Sequence, residues 1–392
     1  MADGDPQNCV ELLRQMIGFD TVNRTADGMP FVEGQLAAYL ETVANGWGLQ
    51  TSRLAIADVG FNLLVTHQTD PAVPWLLFDS HLDTVDVAGM TIDPFGGKVA
   101  DGKIFGRGAC DTKGTGAAML WALKDAVADG QLSVNVAILY SIDEEVGRRG
   151  VRAFVDDQLE TLGWRPVGVV VGEPTSLRLV TAHNGTVRWR IRTRGVAAHS
   201  SDPRQGRSAI SSMTRVIDAI EQHYIPTLAA SHPLVGHAQC SINLVRGGSL
   251  INVIPESCEI RLDRRTVPGE DGTDVLPAVE AILDELRQQH PDLEVYQEAG
   301  TIEPALSPDT NQEFAHCVGC VLESLKFSRD AVGAKYGTHA SNFASAGLPA
   351  IVLGPGDIAQ AHSADEFLSL DQLQRGVEVY RQLMLQPANA WR

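Results

Sequence analysis

Residues 73–83 read VPWLLFDSHLD: an apolar run, Val73–Phe78, passes directly into Asp79-Ser80-His81-Leu82-Asp83. The run reads as a strand, and the polar turn after it delivers a histidine between two acids. The same pattern recurs along the chain. Val134–Ser141 (VNVAILYS) runs into Asp143-Glu144-Glu145, and Val167–Val171 (VGVVV) into Gly172-Glu173-Pro174. Ala350–Leu353 meets a glycine turn, Gly354-Pro355-Gly356, and then His362, while Gly106-Arg107-Gly108-Ala109-Cys110 leads to Asp111. Open α/β sheets carry their chemistry outside the carboxyl ends of strands. His81, Asp111, Glu145, Glu173 and His362 are therefore expected to meet at one edge. Nitrogen and oxygen donors without a thiolate select a borderline divalent ion, zinc first, with cobalt or manganese as substitutes.

Around these strands the periodicity predicts helices over Asp5–Met16, Phe31–Asn45 and Gly114–Ala128, so strand and helix alternate to about residue 180. The pattern then changes. Thr186–Arg194 (TVRWRIRTR) alternates apolar with basic or polar residues, the mark of a strand with one wet face. A helix follows over Ser208–His223, strands near Gln239–Val245 and Glu256–Asp263, a helix over Val275–Gln289 and a strand at Leu293–Ala299. That order, βαββαβ, is ferredoxin-like. The first pattern resumes with helices Asn311–Leu325 and Asp371–Leu385. The expected fold class is α/β: a mixed sheet with helices on both faces, formed by residues 1–181 and 304–392, with a ferredoxin-like α+β domain, 182–303, inserted.

The 392 residues suit two domains, and 44 % hydrophobic with 20 % charged residues describes an ordinary globule. A net charge of −18 repels nucleic acid and anionic membrane alike. The start, MADGDPQNCVELL, has neither the basic stretch nor the apolar core of a signal peptide, which makes the cytoplasm the expected location. Six cysteines in so long a chain form no disulfide framework, and Cys317-Val318-Gly319-Cys320 reads as two packed small residues in a helix.

Taken singly, the polar segments are weak signals. His81-Leu82-Asp83 is a metal ligand beside an acid that can orient it, or simply a polar loop. The Gly106–Gly114 segment fails both GxGxxG and GxxxxGK[ST], and an aspartate at a helix start repels phosphate, although its two oxygens can bridge two cations. Adjacent side chains at a strand end diverge, so Glu145 can face a metal while Glu144 faces a substrate. Three neighbouring carboxylates repel one another unless a cation compensates them. The set carries the weight that no member has alone. Neither GxSxG nor HExxH is present, which excludes a serine-hydrolase elbow and a helix-borne zincin.

SHLDTV, GRGACDTKG, DEEVG, GEPT, GVAAHSS, INVIPESCEIRLDRR and GPGDIAQAHSADEF together resemble the metal-dependent family of acetylornithine deacetylase, succinyl-diaminopimelate desuccinylase, zinc aminoacylase and carboxypeptidase G, over nearly the whole chain. The resemblance implies two divalent ions per chain, with Asp111 bridging them. His81 and Glu173 would complete one site, and Glu145 and His362 the other. It further implies that Asp83 orients His81 and that Glu144 is the general base. The inserted domain would be a lid and homodimerisation domain, and its His199 would reach the partner's site to hold an oxyanion. Arg265 and Asn252 would contact the substrate. IGFDTV and GPGDIAQAH are most similar to the acetylornithine deacetylase branch, but His339 stands where that branch commonly carries an acid facing the substrate. The expected function is hydrolysis of an N-acyl amino acid, N-acetylornithine or a relative, to the free amino acid and acetate. The alternatives are a desuccinylase, a dipeptidase or carboxypeptidase on the same centre, and a metal-containing binding protein without catalysis.

Overall fold

The computed structural model describes residues 5–24 and 31–391. The chain divides into two compact units. The first comprises residues 1–181, 308–332 and 338–392; the second comprises 182–307 and 333–337.

The first unit is built on an eight-stranded mixed sheet. At its centre four strands lie side by side and parallel, in the order Asn135–Ser141, Trp75–His81, Pro166–Val171 and Ala350–Val352. Every residue of the first two is buried, which is why they read as unbroken apolar runs: a parallel sheet is covered on both faces. The strand Trp75–His81 continues three residues past its apolar run, so His81 ends the strand and does not sit in the following loop. An antiparallel pair absent from the sequence expectations, Gln50–Ile56 with Gly60–His67, extends one edge. Its first strand is largely exposed, so it lacks the apolar run that marks the central four.

Helices Cys9–Ile17, Lys113–Ala128 and Leu370–Met384 pack together and bury Leu12, Leu13, Met16, Leu120, Leu123, Val379 and Leu383 in the core cluster of this unit. Each such side chain, fully removed from water, contributes about 1.5–3 kcal/mol. Two of these helices start where the sequence supplies a cap: Asn8 accepts from the Glu11 amide and Ser369 from that of Gln372.

The second unit is an antiparallel sheet in the order Gln239–Gly247, Ser257–Thr266, Gly185–Arg194, Glu294–Glu303, with helices Ala209–Ala219 and Val275–Gln289. Val187, Trp189 and Ile191 point into its core, while Arg188 and Arg192 stand exposed on the other face. Cys317 donates to the Ala390 carbonyl, and Cys320, expected to be packed, is exposed. No helix among the described residues is long and apolar enough to cross a membrane.

Candidate metal centre

His81 is the last residue of its strand, and the turn carrying Glu144 and Glu145, Glu173 and His362 follow the carboxyl ends of the other three central parallel strands. Asp111 arrives on the turn just before helix Lys113–Ala128. Gly108 makes that turn possible: its φ is +82°, and a Cβ there would stand 2.9 Å from the Lys113 side chain. The Asp111–Thr112 peptide bond is cis.

Ligand-type atoms of His81, Asp111 and Glu145 lie within 4.8 Å of one another. Asp111 is central. Its Oδ1 is 3.1 Å from His81 Nε2 and its Oδ2 is 3.4 Å from His362 Nε2. Glu173 Oε1 lies 4.0 Å from the same His81 nitrogen, and Glu145 Oε1 is 3.3 Å from the same His362 nitrogen. His81, Asp111 and Glu173 are buried, and His362 sits at the rim.

The supporting contacts explain the orientation. His81 Nδ1 donates to the Asp83 carbonyl at 3.0 Å, with the Asp83 carboxylate at 3.5 Å, leaving Nε2 facing the cluster. Asp83 has a second task that its sequence position did not suggest. Its carboxylate accepts the amides of Glu144 and Glu145, at 2.9 and 3.1 Å, and the Asn23 side chain at 2.8 Å. Asn23 also donates to Asp143, which occupies the left-handed region at φ +61° and turns the chain toward the cluster. Glu144 pairs with Arg148 at 2.9 Å.

Ionisation is strongly perturbed. Burial alone would raise the Asp111 carboxyl, but His362 and His81 outweigh it and hold the group far below the usual carboxylate range. Burial, against the pull of His362, pushes Glu145 up to about 7, and burial with the Asp111 charge raises Glu173 well above normal. His362, bonded to Asp111 and Glu145, rises to about 10. His81 is also raised, since its bonds to Asp111 and Asp83 overcome a large burial penalty. The donor set fits a divalent ion: carboxylates and imidazoles converge on Asp111, and His81 and His362 stand against Asp111, Glu173 and Glu145.

Two buried residues of this site were not singled out from the sequence. Glu366 is fully buried and accepts from the Gly108, Cys110 and Asp111 amides and from Arg107, pinning the Asp111 turn. Glu33 accepts the Asp143 amide, and burial followed by the Asp83 charge raises it to about 7. Glu366 follows no apolar run, so only the motif around it could have flagged it.

Expected to face a substrate, His339 is 1 % exposed, and its Nδ1 lies 2.8 Å from buried Asp79. His199, Asn252 and Arg265 all belong to the second unit. His199 and Asn252 are brought together there, since Ser200 donates to the Asn252 carbonyl beside the His199–Val253 pairing, and both are exposed. Arg265 is paired with Asp263 at 2.6 Å.

Residues 77–386 match the model of peptidase family M20/M25/M40. The chain is 30 % identical to an acetylornithine deacetylase of Proteus mirabilis over 96 % of its own length and 95 % of that protein's. It is 33 % identical to one of Yersinia pseudotuberculosis, over 83 % and 82 %. Among solved structures it resembles an M20 family metallo-carboxypeptidase from Sulfolobus solfataricus, at TM-score 0.80 and 15 % identity over 97 % and 99 % of the two chains. It also resembles a dinuclear metal binding M20 peptidase from Bacillus subtilis, at TM-score 0.71 and 14 % identity over 96 % of each; both likenesses concern the fold.

Proposed function

Because the chain belongs to peptidase family M20/M25/M40, a family of metal-dependent hydrolases of amide bonds, we propose that it is a dinuclear deacylase of N-acyl amino acids, with N-acetylornithine or a related acetyl amino acid as substrate. The observation that carries this reading is the placement of Asp111: each carboxylate oxygen faces a different histidine, one backed by Glu173 and the other by Glu145. Asp111 would bridge two divalent ions, zinc in the first instance, with His81 and Glu173 on one and His362 and Glu145 on the other. Two such ions would supply an activated water and polarise the amide carbonyl.

The remaining steps belong to side chains. Glu144, released from Arg148, takes the proton of the attacking water and passes it to the leaving amine. Asp83 keeps His81 in the tautomer that presents Nε2 and holds the Glu144 amide. His199, Asn252 and Arg265 are proposed to bind the acyl oxygen and the amino-acid carboxylate, with His199 serving the partner subunit of a homodimer. Support for the dimer lies in the second unit, where edge strand Gln239–Gly247 exposes Leu244 and Val245. The acetylornithine deacetylases found at about 30 % identity over most of the chain favour an acetyl substrate over a dipeptide. The test is an assay of zinc- and cobalt-loaded protein against acetyl- and succinyl-amino acids and dipeptides. Turnover of dipeptides alone would replace this reading with a peptidase; no turnover of any of them would remove it.

A further inference from the structure

The geometry points to His339 as a positioning residue: through the buried Asp79 carboxylate it braces the ends of two neighbouring strands and so sets the separation of His81 from Glu144 and Glu145. This rests on the reading of the cluster as a metal centre.

Asp79 lies two residues before His81 on one strand, so both side chains fall on the same face. On the adjacent parallel strand Ser141 stands in register with His81 and is the last residue before the Glu144–Glu145 turn. Asp79 uses both carboxylate oxygens to tie the two strands to a third element. Oδ1 accepts from Ser141 Oγ at 2.9 Å, and Oδ2 accepts from His339 Nδ1 at 2.8 Å. Asp79 and His339 are each 1 % exposed, so water cannot replace either donor. The His81 and His339 rings lie edge to face with centroids 6.5 Å apart. The brace is thus one layer beneath the ligand.

The same turn reaches the candidate base. The carbonyl of Thr338, next to His339, accepts from Arg148 at 3.3 Å, and Arg148 pairs with Glu144. His339 and Thr338 are fixed in turn by helix Ala340–Ser345: the His339 carbonyl accepts from the amides of Asn342 and Phe343, and Thr338 Oγ from that of Ala340. A single turn therefore holds the strand of a metal ligand and the partner of the base. His339 Nε2 has no hydrogen-bond partner among the described residues, so the brace acts through Nδ1 alone. An asparagine, which can place an N–H near that position, should largely replace it; an alanine should not.

The experiment compares His339→Ala and His339→Asn with the unaltered chain by ion affinity, by kcat and KM, and by amide hydrogen exchange over residues 79–83 and 141–145. Loss of a partner behind a metal ligand typically lowers metal affinity or activity about 10–100-fold. His339→Ala should show a loss of that size in ion affinity and kcat, KM within about threefold, and faster exchange in both segments; His339→Asn should recover most of each. Unchanged ion affinity and exchange in His339→Ala would overturn the brace. So would a rise in KM alone, which marks direct substrate contact, or an asparagine variant as impaired as alanine with unaltered melting. Should the alanine chain not fold, Ser141→Ala removes the other donor to Asp79 and must shift the same readouts in the same direction. An unaltered chain that binds no ion would sink the metal reading, and hydrogen exchange would still judge the brace.

Discussion

Adjacent residues 144 and 145 face different neighbours. Asp83 holds both of their amides, yet the side chains part: Glu145 meets His362, and Glu144 meets Arg148. Glu144→Ala is expected to keep its ions and lose about 10²–10⁴ in turnover, the usual reach of a general base. Glu145→Ala should lose ion affinity, measured by metal analysis after dialysis; the reverse pattern would exchange the two roles. Glu33 gives a second prediction. Its folded pKa is about 7 against an ordinary 4.5, as is that of Glu145. A raised carboxyl stabilises fully below about pH 4.5 and loses that contribution as pH climbs through about 7. The metal-free chain should therefore be more stable at pH 5 than at pH 7.5, by about 2 kcal/mol for each of the two carboxyls. Glu33→Gln should remove its share of the slope and leave that of Glu145, and added zinc should restore stability at the higher pH. Denaturant melts across that range decide it, and stability rising with pH would contradict the assignment.

At the scale of elements, the Asp111 turn is held from a distant part of the chain. Strand Phe367–Ser369 pairs with Lys103–Phe105, which carries Glu366 against the turn, where it accepts three backbone amides and the buried Arg107. Glu366→Ala leaves Arg107 buried without its carboxylate, a change that typically costs about 3–5 kcal/mol. It also frees the turn that aims Asp111. Lower melting together with loss of both ions is expected, and metal analysis at a temperature where the variant remains folded separates the two effects. Retention of two ions would show that Glu366 supports only stability. This device was not legible from residues 106–114, because nothing in that segment indicates that its amides need an acceptor some 250 positions away. The four central strands were legible, since burial on both faces leaves an apolar run that any reader of the sequence can see.

For the whole molecule, the proposed homodimer makes a sharp prediction. Mixing inactive His199→Ala with inactive Glu144→Ala should restore up to about a quarter of unaltered activity per chain, because half of randomly mixed dimers are heterodimers and each holds one intact site. No recovery after demonstrated subunit exchange would place His199 in its own chain's site or outside catalysis. Asp substituted for Val245 on the exposed edge strand should give a folded monomer by sedimentation if that edge makes the interface.

The sequence by itself determined the α/β class, the ferredoxin-like pattern of the second sheet and the candidate ligands. Each of these is written in local periodicity: unbroken apolar runs for buried parallel strands, alternation for the sheet with a wet face, and polar residues at the ends of runs. Tertiary structure alone decided what those ligands rest on. Asp79 with His339, Asp83 with the Glu144 and Glu145 amides, and Glu366 with the Asp111 turn are separated by 260, 61 and 62, and 255 to 258 positions. Their pairing is imposed by burial, because a carboxylate removed from water must find donors wherever the fold brings them. A periodic pattern records which way a side chain points; it does not record what waits there.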